Sequence, residues 1–256
     1  MKQEVFNSIE KSISSARLST YRNHSASNNA QLIANYVLNA KISENFYFLL
    51  QNLEVALRNA IYDGFMKNYP RRNFFYLNAT NPRTQRYYSR QENHDRECWK
   101  MLCGAKYKLR NVPHMNDGKI IAELNFGFWT KLLLSTDRKY ANMWRTIFTD
   151  VFPHYNITHS VDNDKVIVGN KIDKIRLFRN RIFHYEPIFN YPNLEQIHDD
   201  IIEVLGWINK DMQELSILFD DFQYMQEEKY FIRKQLRGNN VLAKKKRRFR
   251  GKRKSV

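Results

Sequence analysis

Apolar residues along the 256-residue chain recur at helical spacing and show no sustained period-two alternation, so the pattern predicts an all-α protein. Residues 1–30 are polar. Val5, Ile9 and Ile13 keep a weak helical spacing among serines there, which predicts a short helix and then a loop. Leu32, Ile33, Tyr36 and Val37 begin a stronger repeat, and Ser43 followed by Glu44 reads as an N-cap that opens a long helix to about Tyr69. Its stripe is Phe46, Leu49, Leu50, Leu53, Ala56, Leu57, Ala60 and Ile61. Further helices are expected over 91–109, 120–135 and 138–152, the last closed by Pro153. A helix over 163–185 follows a polar loop, with Asp162 or Asn163 as its cap and Ile172, Ile175, Leu177 and Phe178 as its buried face. Gly169 weakens that helix by about 1 kcal/mol relative to alanine unless a neighbour needs close approach. From Leu194 to about Lys234 sustained apolar spacing predicts another long helix, broken near Gly206 or Asp220.

Composition adds a partner class to this picture. The formal net charge is +16, and nine units of it lie on Lys244, Lys245, Lys246, Arg247, Arg248, Arg250, Lys252, Arg253 and Lys254, with no acid among them. The residues before this arm keep a charge of +7. Such a field attracts polyanions, nucleic acid first among them, and the arm over 237–256 reads as disordered by composition. Between residues 70 and 95, Arg71, Arg72, Arg83, Arg86 and Arg90 are interleaved with Tyr76, Tyr87 and Tyr88. That mixture suits a single strand of RNA, and equally a solvated connection. No apolar run is long enough to cross a bilayer and no signal sequence opens the chain, so no membrane contact and a cytoplasmic location are expected. Cys98 and Cys103 lack the paired-knuckle spacing of a structural zinc site, and no metal or cofactor is expected.

Candidate chemistry concentrates in Leu177-Phe178-Arg179-Asn180-Arg181-Ile182-Phe183-His184-Tyr185-Glu186-Pro187. Asn180 and His184, four apart, share a helix face, while Arg179 lies roughly 140° round from His184. Pro187 disfavours helical geometry at Glu186, so the helix should end here and leave the histidine partly open to solvent. Histidine moves protons near neutral pH and arginine forks onto phosphate oxygens, a pair suited to phosphate chemistry. The structural alternative is a plain helix C-terminus, with His184 and Arg181 facing the negative end of the dipole.

Arg179–His184 reads R-N-R-I-F-H and resembles the R-x4-H motif of the HEPN superfamily. With the flanking Y-E-P-I-F it is similar to the Abi-like (abortive infection) proteins of bacteria. Leu53-Glu54-Val55-Ala56-Leu57-Arg58-Asn59 resembles the E-V-x-L-R-N helix of that family, and Leu124-Asn125-Phe126-Gly127-Phe128-Trp129 its L-N-F-G-F-W signature. The three motifs fall in the family order. The resemblance implies a HEPN-like helical bundle over 31–236 with inserted helices at about 70–160, between a polar segment over 1–30 and the basic tail over 237–256.

The same resemblance implies a metal-independent endoribonuclease of anti-phage defence that cuts RNA through attack of its own 2′-hydroxyl. It also implies a homodimer, because a composite cleft takes one R-x4-H from each domain. His184 is then the general acid or base, Arg179 the phosphate clamp and Asn180 a positioning donor. Glu54, Arg58, Asn59, Arg181 and Glu186 are supporting candidates, and the basic arm holds RNA. The rival expectation is an RNA-binding module or toxin-like partner of the same fold that binds a regulatory or guide RNA without cleaving.

Overall fold

The structure is a computed structural model, and it describes residues 1–22, 26–71, 93–114, 116–136, 138–225 and 232. Among these residues the chain forms ten α-helices, one 3-10 turn and no strand, so the all-α expectation holds. The helices are α1 (Gln3–Ile13), α2 (Ser15–Arg22), α3 (Asn29–Asn68), α4 (Asn93–Lys108), α5 (Asp117–Glu123), α6 (Phe126–Leu134), α7 (Arg138–Val151), α8 (Val161–Phe183), α9 (Leu194–Ile208) and α10 (Lys210–Leu218), with the 3-10 turn at Phe222–Tyr224. None of the described helices is long and apolar enough to cross a membrane.

Two compact units divide the chain. The first comprises Met1–Tyr47, Arg181–Leu194 and Asp220–Val256. Here α1 and α2 are separated by a single residue, Ser14, at φ 85°. Its hydroxyl accepts from the Arg17 amide at 3.2 Å and so caps α2. Phe6, Leu18, Tyr21, Leu32, Leu38, Ile42, Phe46, Ile182 and Ile188 are buried. The ring of Tyr21 meets Tyr36 edge-on at 5.5 Å and stacks on Phe189 at 5.6 Å.

The second unit comprises Phe48–Asn180 and Glu195–Phe219. Its core draws on the apolar stripe of α3 from Leu49 to Phe65, on Phe126, Phe128, Trp129, Leu132 and Leu133 of α6, and on Trp144, Ile147 and Phe148 of α7. Ile172, Ile175 and Phe178 of α8 and Ile197, Ile201, Val204 and Leu205 of α9 complete it. Two polar side chains inside it find partners. Trp144 Nε1 donates to the Leu132 carbonyl at 2.9 Å, and Asn52 Nδ2 donates to Ser216 Oγ at 3.0 Å. Gly169 belongs to the exception foreseen for it: a Cβ there would stand 2.6 Å from Leu134 Cδ2, so glycine lets α8 approach α6.

Helix limits differ from the sequence expectation in four places, each for a local reason. Where a loop was expected after the first short helix, α2 forms, started by the Ser14 cap. Ser43 opens no helix. Its hydroxyl donates to the Asn39 carbonyl one turn back at 2.9 Å, and α3 runs on through it from Asn29. The apolar run over 120–135 splits at Asn125, whose side chain accepts from the Phe128 amide at 3.2 Å and starts α6. The long helix expected after Leu194 breaks at Asn209, not at Gly206, because the Asn209 side chain caps α10 through the Met212 amide at 2.9 Å. A second break does fall near Asp220, since α10 stops at Leu218.

Candidate active site

The R-x4-H segment is the C-terminal end of α8. At the other end the Ser160 hydroxyl accepts from the Asn163 amide at 3.3 Å, so Ser160, not Asp162 or Asn163, supplies the cap. Asp164 is fully buried just inside the first turn. Removal from water raises its carboxyl pKa, but the amides of His159 and Thr158, with their side chains, reverse that and hold it below the usual carboxylate range.

At the C-terminus the helix closes by two reverse hydrogen bonds. The Tyr185 amide donates to the Ile182 carbonyl at 2.9 Å, and the Glu186 amide donates to the Arg181 carbonyl at 2.8 Å. This is the Schellman arrangement, with His184 at the C-cap and Tyr185 in the left-handed position at φ 56°. Glycine normally occupies that position, and a tyrosine there costs about 1–2 kcal/mol. A backbone held against such a preference needs surrounding contacts that determine it, and they are present.

Arg17 Nη2 donates to the Tyr185 carbonyl, and the Arg17 guanidinium lies 5.9 Å from the centre of the Tyr185 ring. Asn39, buried on α3, binds three of the next four residues, all but Pro187. Its Oδ1 accepts from the amides of Ile188 at 2.5 Å and Phe189 at 3.1 Å, and its Nδ2 donates to the Glu186 carbonyl at 3.3 Å. Arg181 Nη2 donates to the Pro187 carbonyl at 3.1 Å, with Nε 3.3 Å from the Glu186 carboxylate. That Nε–carboxylate contact has ion-pair distance but not hydrogen-bond alignment, so it acts by charge. On the turn so fixed, His184 is exposed, and its ring takes no hydrogen bond from a described residue.

In the second unit Arg179 is half-buried and its Nη2 lies 3.2 Å from Glu54 Oε2 on α3, with the two side chains 22% and 18% exposed. Arg58, one turn beyond Glu54, is half-buried, and its Nε has no hydrogen-bond partner among the described residues. Asn180 is half-buried. Asn59 is exposed and lines an open groove of about 490 Å³ with Asp63, Lys67, Asp150 and Met212. Lys67 and Asn68 each donate to the Asp150 carboxylate at 2.6 Å.

Of the site residues expected from sequence, Glu54 and Arg179 are therefore in contact, and so are Arg181 and Glu186; Asn59 belongs to the groove. Arg17 and Asn39 were not among the expected residues, although they hold the turn. No group of three or more His, Cys, Asp or Glu residues placed to hold a metal occurs among the described residues. Cys98 is buried and Cys103 exposed. The basic arm from Lys244 to Lys254 and the Arg/Tyr stretch from Arg72 to Gln91 lie outside the described residues. Neither a protein-family model, nor a curated protein, nor a solved structure matches the chain.

Proposed function

We propose that the chain is a HEPN-type, metal-independent endoribonuclease of bacterial abortive infection, working as a homodimer. The observation that carries this reading is the exposed His184 on a turn whose backbone is tied down by Arg17, Asn39 and Arg181. Support also comes from the R-N-R-I-F-H spelling itself, which keeps Arg179 within five residues of that histidine.

In the proposed reaction one histidine takes the proton of the RNA 2′-hydroxyl. The 2′-oxygen forms a bond to phosphorus, and the P–O5′ bond breaks. The same histidine of a second copy gives a proton to the leaving O5′, so the products are a 2′,3′-cyclic phosphate and a 5′-hydroxyl. Arg179 offsets the charge gathered on the phosphoryl oxygens, and its pairing with Glu54 fixes its guanidinium. The second copy is needed because each motif carries one histidine and the reaction needs a base and an acid. DNA lacks the nucleophile and is no substrate.

A second reading, an RNA-binding module that holds RNA without cutting it, draws on the same Glu54 contact, which neutralises part of the charge assigned to phosphate. Incubating the protein with end-labelled RNA in EDTA separates the two. The ribonuclease reading expects cleavage that persists in EDTA, cyclic phosphate ends, and failure on a substrate with a 2′-deoxy residue at the scissile position. Binding without cleavage under all conditions leaves the module.

A further inference from the structure

We propose that Tyr47 and Phe183 form a stacking platform for an unpaired nucleobase, which makes single-stranded RNA the substrate class presented to His184. This deepens, and rests on, the ribonuclease reading above. Phe183 is the last residue of α8 and the immediate neighbour of His184. Its ring stacks on that of Tyr47 from α3, with centroids 5.8 Å apart and planes 27° from parallel. Both rings nevertheless stay open to solvent, 41% exposed for Phe183 and 52% for Tyr47.

On the other side of His184 in the chain, Tyr185 is 73% exposed, with the Arg17 guanidinium beside its ring. Phe183 and Tyr185 thus flank the exposed His184 in the chain, the first with Tyr47 stacked on it and the second with Arg17 beside it, all within a single unit. Core packing would bury such rings. A base reader requires them open, since every base offers a π-face for stacking whatever its sequence. The occupant follows from charge and stacking together. A chain of net charge +16 draws polyanions, and among these a duplex keeps its bases stacked on one another while a single strand can hand one over.

The test measures binding, by fluorescence anisotropy, of full-length protein to a 2′-O-methyl RNA of about 12 nucleotides, which cannot be cut, and to the same sequence as a blunt duplex. Wild type should bind the single strand more tightly than the duplex. Tyr47→Ala should weaken single-strand binding about 5- to 150-fold and leave duplex binding, which depends on backbone charge, unchanged. Tyr47→Phe keeps the ring and should keep the affinity. The exposed position of Tyr47 makes these variants safe for folding, and circular dichroism checks it.

Equal single-strand affinity of Tyr47→Ala and wild type overturns the platform. Loss of a dimer in Tyr47→Ala with RNA affinity unchanged also overturns it, by giving the rings to a contact between copies. Because the ligand cannot be cut, the outcome is independent of cleavage. Weakened binding by Tyr47→Ala in a protein that cuts no RNA supports the platform and removes the ribonuclease, and active cleavage with no effect of Tyr47→Ala does the reverse.

Discussion

Truncating Asn39 to alanine should loosen the turn that carries His184 without touching the histidine. Asn39 is 5% exposed and serves three backbone groups of the segment after α8: the Ile188 and Phe189 amides and the Glu186 carbonyl. Their costs differ. Ile188 is fully buried, so its orphaned N–H costs about 1–3 kcal/mol. Phe189 is only part-buried and Glu186 exposed, so water replaces much of what they lose, and the two together add about 1 kcal/mol. The loss expected is therefore about 2–4 kcal/mol.

Urea unfolding of wild type and Asn39→Ala reads the total, and amide hydrogen exchange at Ile188 and Phe189 reads the place. Both amides should be protected in wild type and should exchange faster in the variant by a larger factor than amides in α9. A change below about 0.5 kcal/mol, or unaltered exchange at Ile188, would refute the role given to Asn39.

Acid should weaken the fold through Asp164. Its pKa is depressed in the folded state, so its contribution is present above the unfolded carboxylate value of about 3.9 and is lost as pH falls below it. The urea midpoint should drop between pH 5 and pH 3, and Asp164→Asn should flatten that drop; equal drops in both proteins would remove Asp164 from the cause. Asp200, also depressed although its burial works the other way, owes this chiefly to Lys171 and Gln196. Asp200→Asn should therefore lower stability at pH 7 more than at pH 3 in the same assay. Deleting residues 244–256 should weaken RNA binding and reduce the slope of log affinity against log salt, because a polycationic arm acts by releasing counterions. An unchanged slope would contradict that.

Much of the fold was legible because helical periodicity is a local signal: the α7 stripe falls where the sequence puts it, and so do Ile172, Ile175 and Phe178 of α8. Leu177, expected on the same buried face, is instead 52% exposed, because it lies about 100° from Phe178 on the solvent side of the helix. The end of α8 was legible as well, since Pro187 acts on its own neighbour. What periodicity does not distinguish is a polar residue that caps from one that a helix absorbs. Ser43 satisfies its hydroxyl on the Asn39 carbonyl and is absorbed, whereas Asn125 and Asn209 reach forward to amides and divide apolar runs that read as continuous. Asparagine before a helical stretch was the available signal at both positions, and the strength of the surrounding apolar repeat masked it.

In the candidate site, Glu54 and Arg179 came from motif resemblance. The turn's anchors had no such signal. Arg17 lies 168 residues from Tyr185 and Asn39 lies 149 from Ile188, and nothing in a single sequence joins positions so far apart.

Whether His184 moves protons in RNA cleavage is read most directly from the single-turnover cleavage rates of wild type and His184→Ala in EDTA, each checked for an intact fold. His184 is exposed and its ring is not hydrogen-bonded to a described residue, so the variant should fold as wild type does. Losing a general acid or base should lower the rate by about 10² or more, and Arg179→Ala should lower it as well. Full cleavage by a well-folded His184→Ala protein would contradict the mechanism, and absence of any cleavage by wild type would return the R-x4-H segment to a structural helix end.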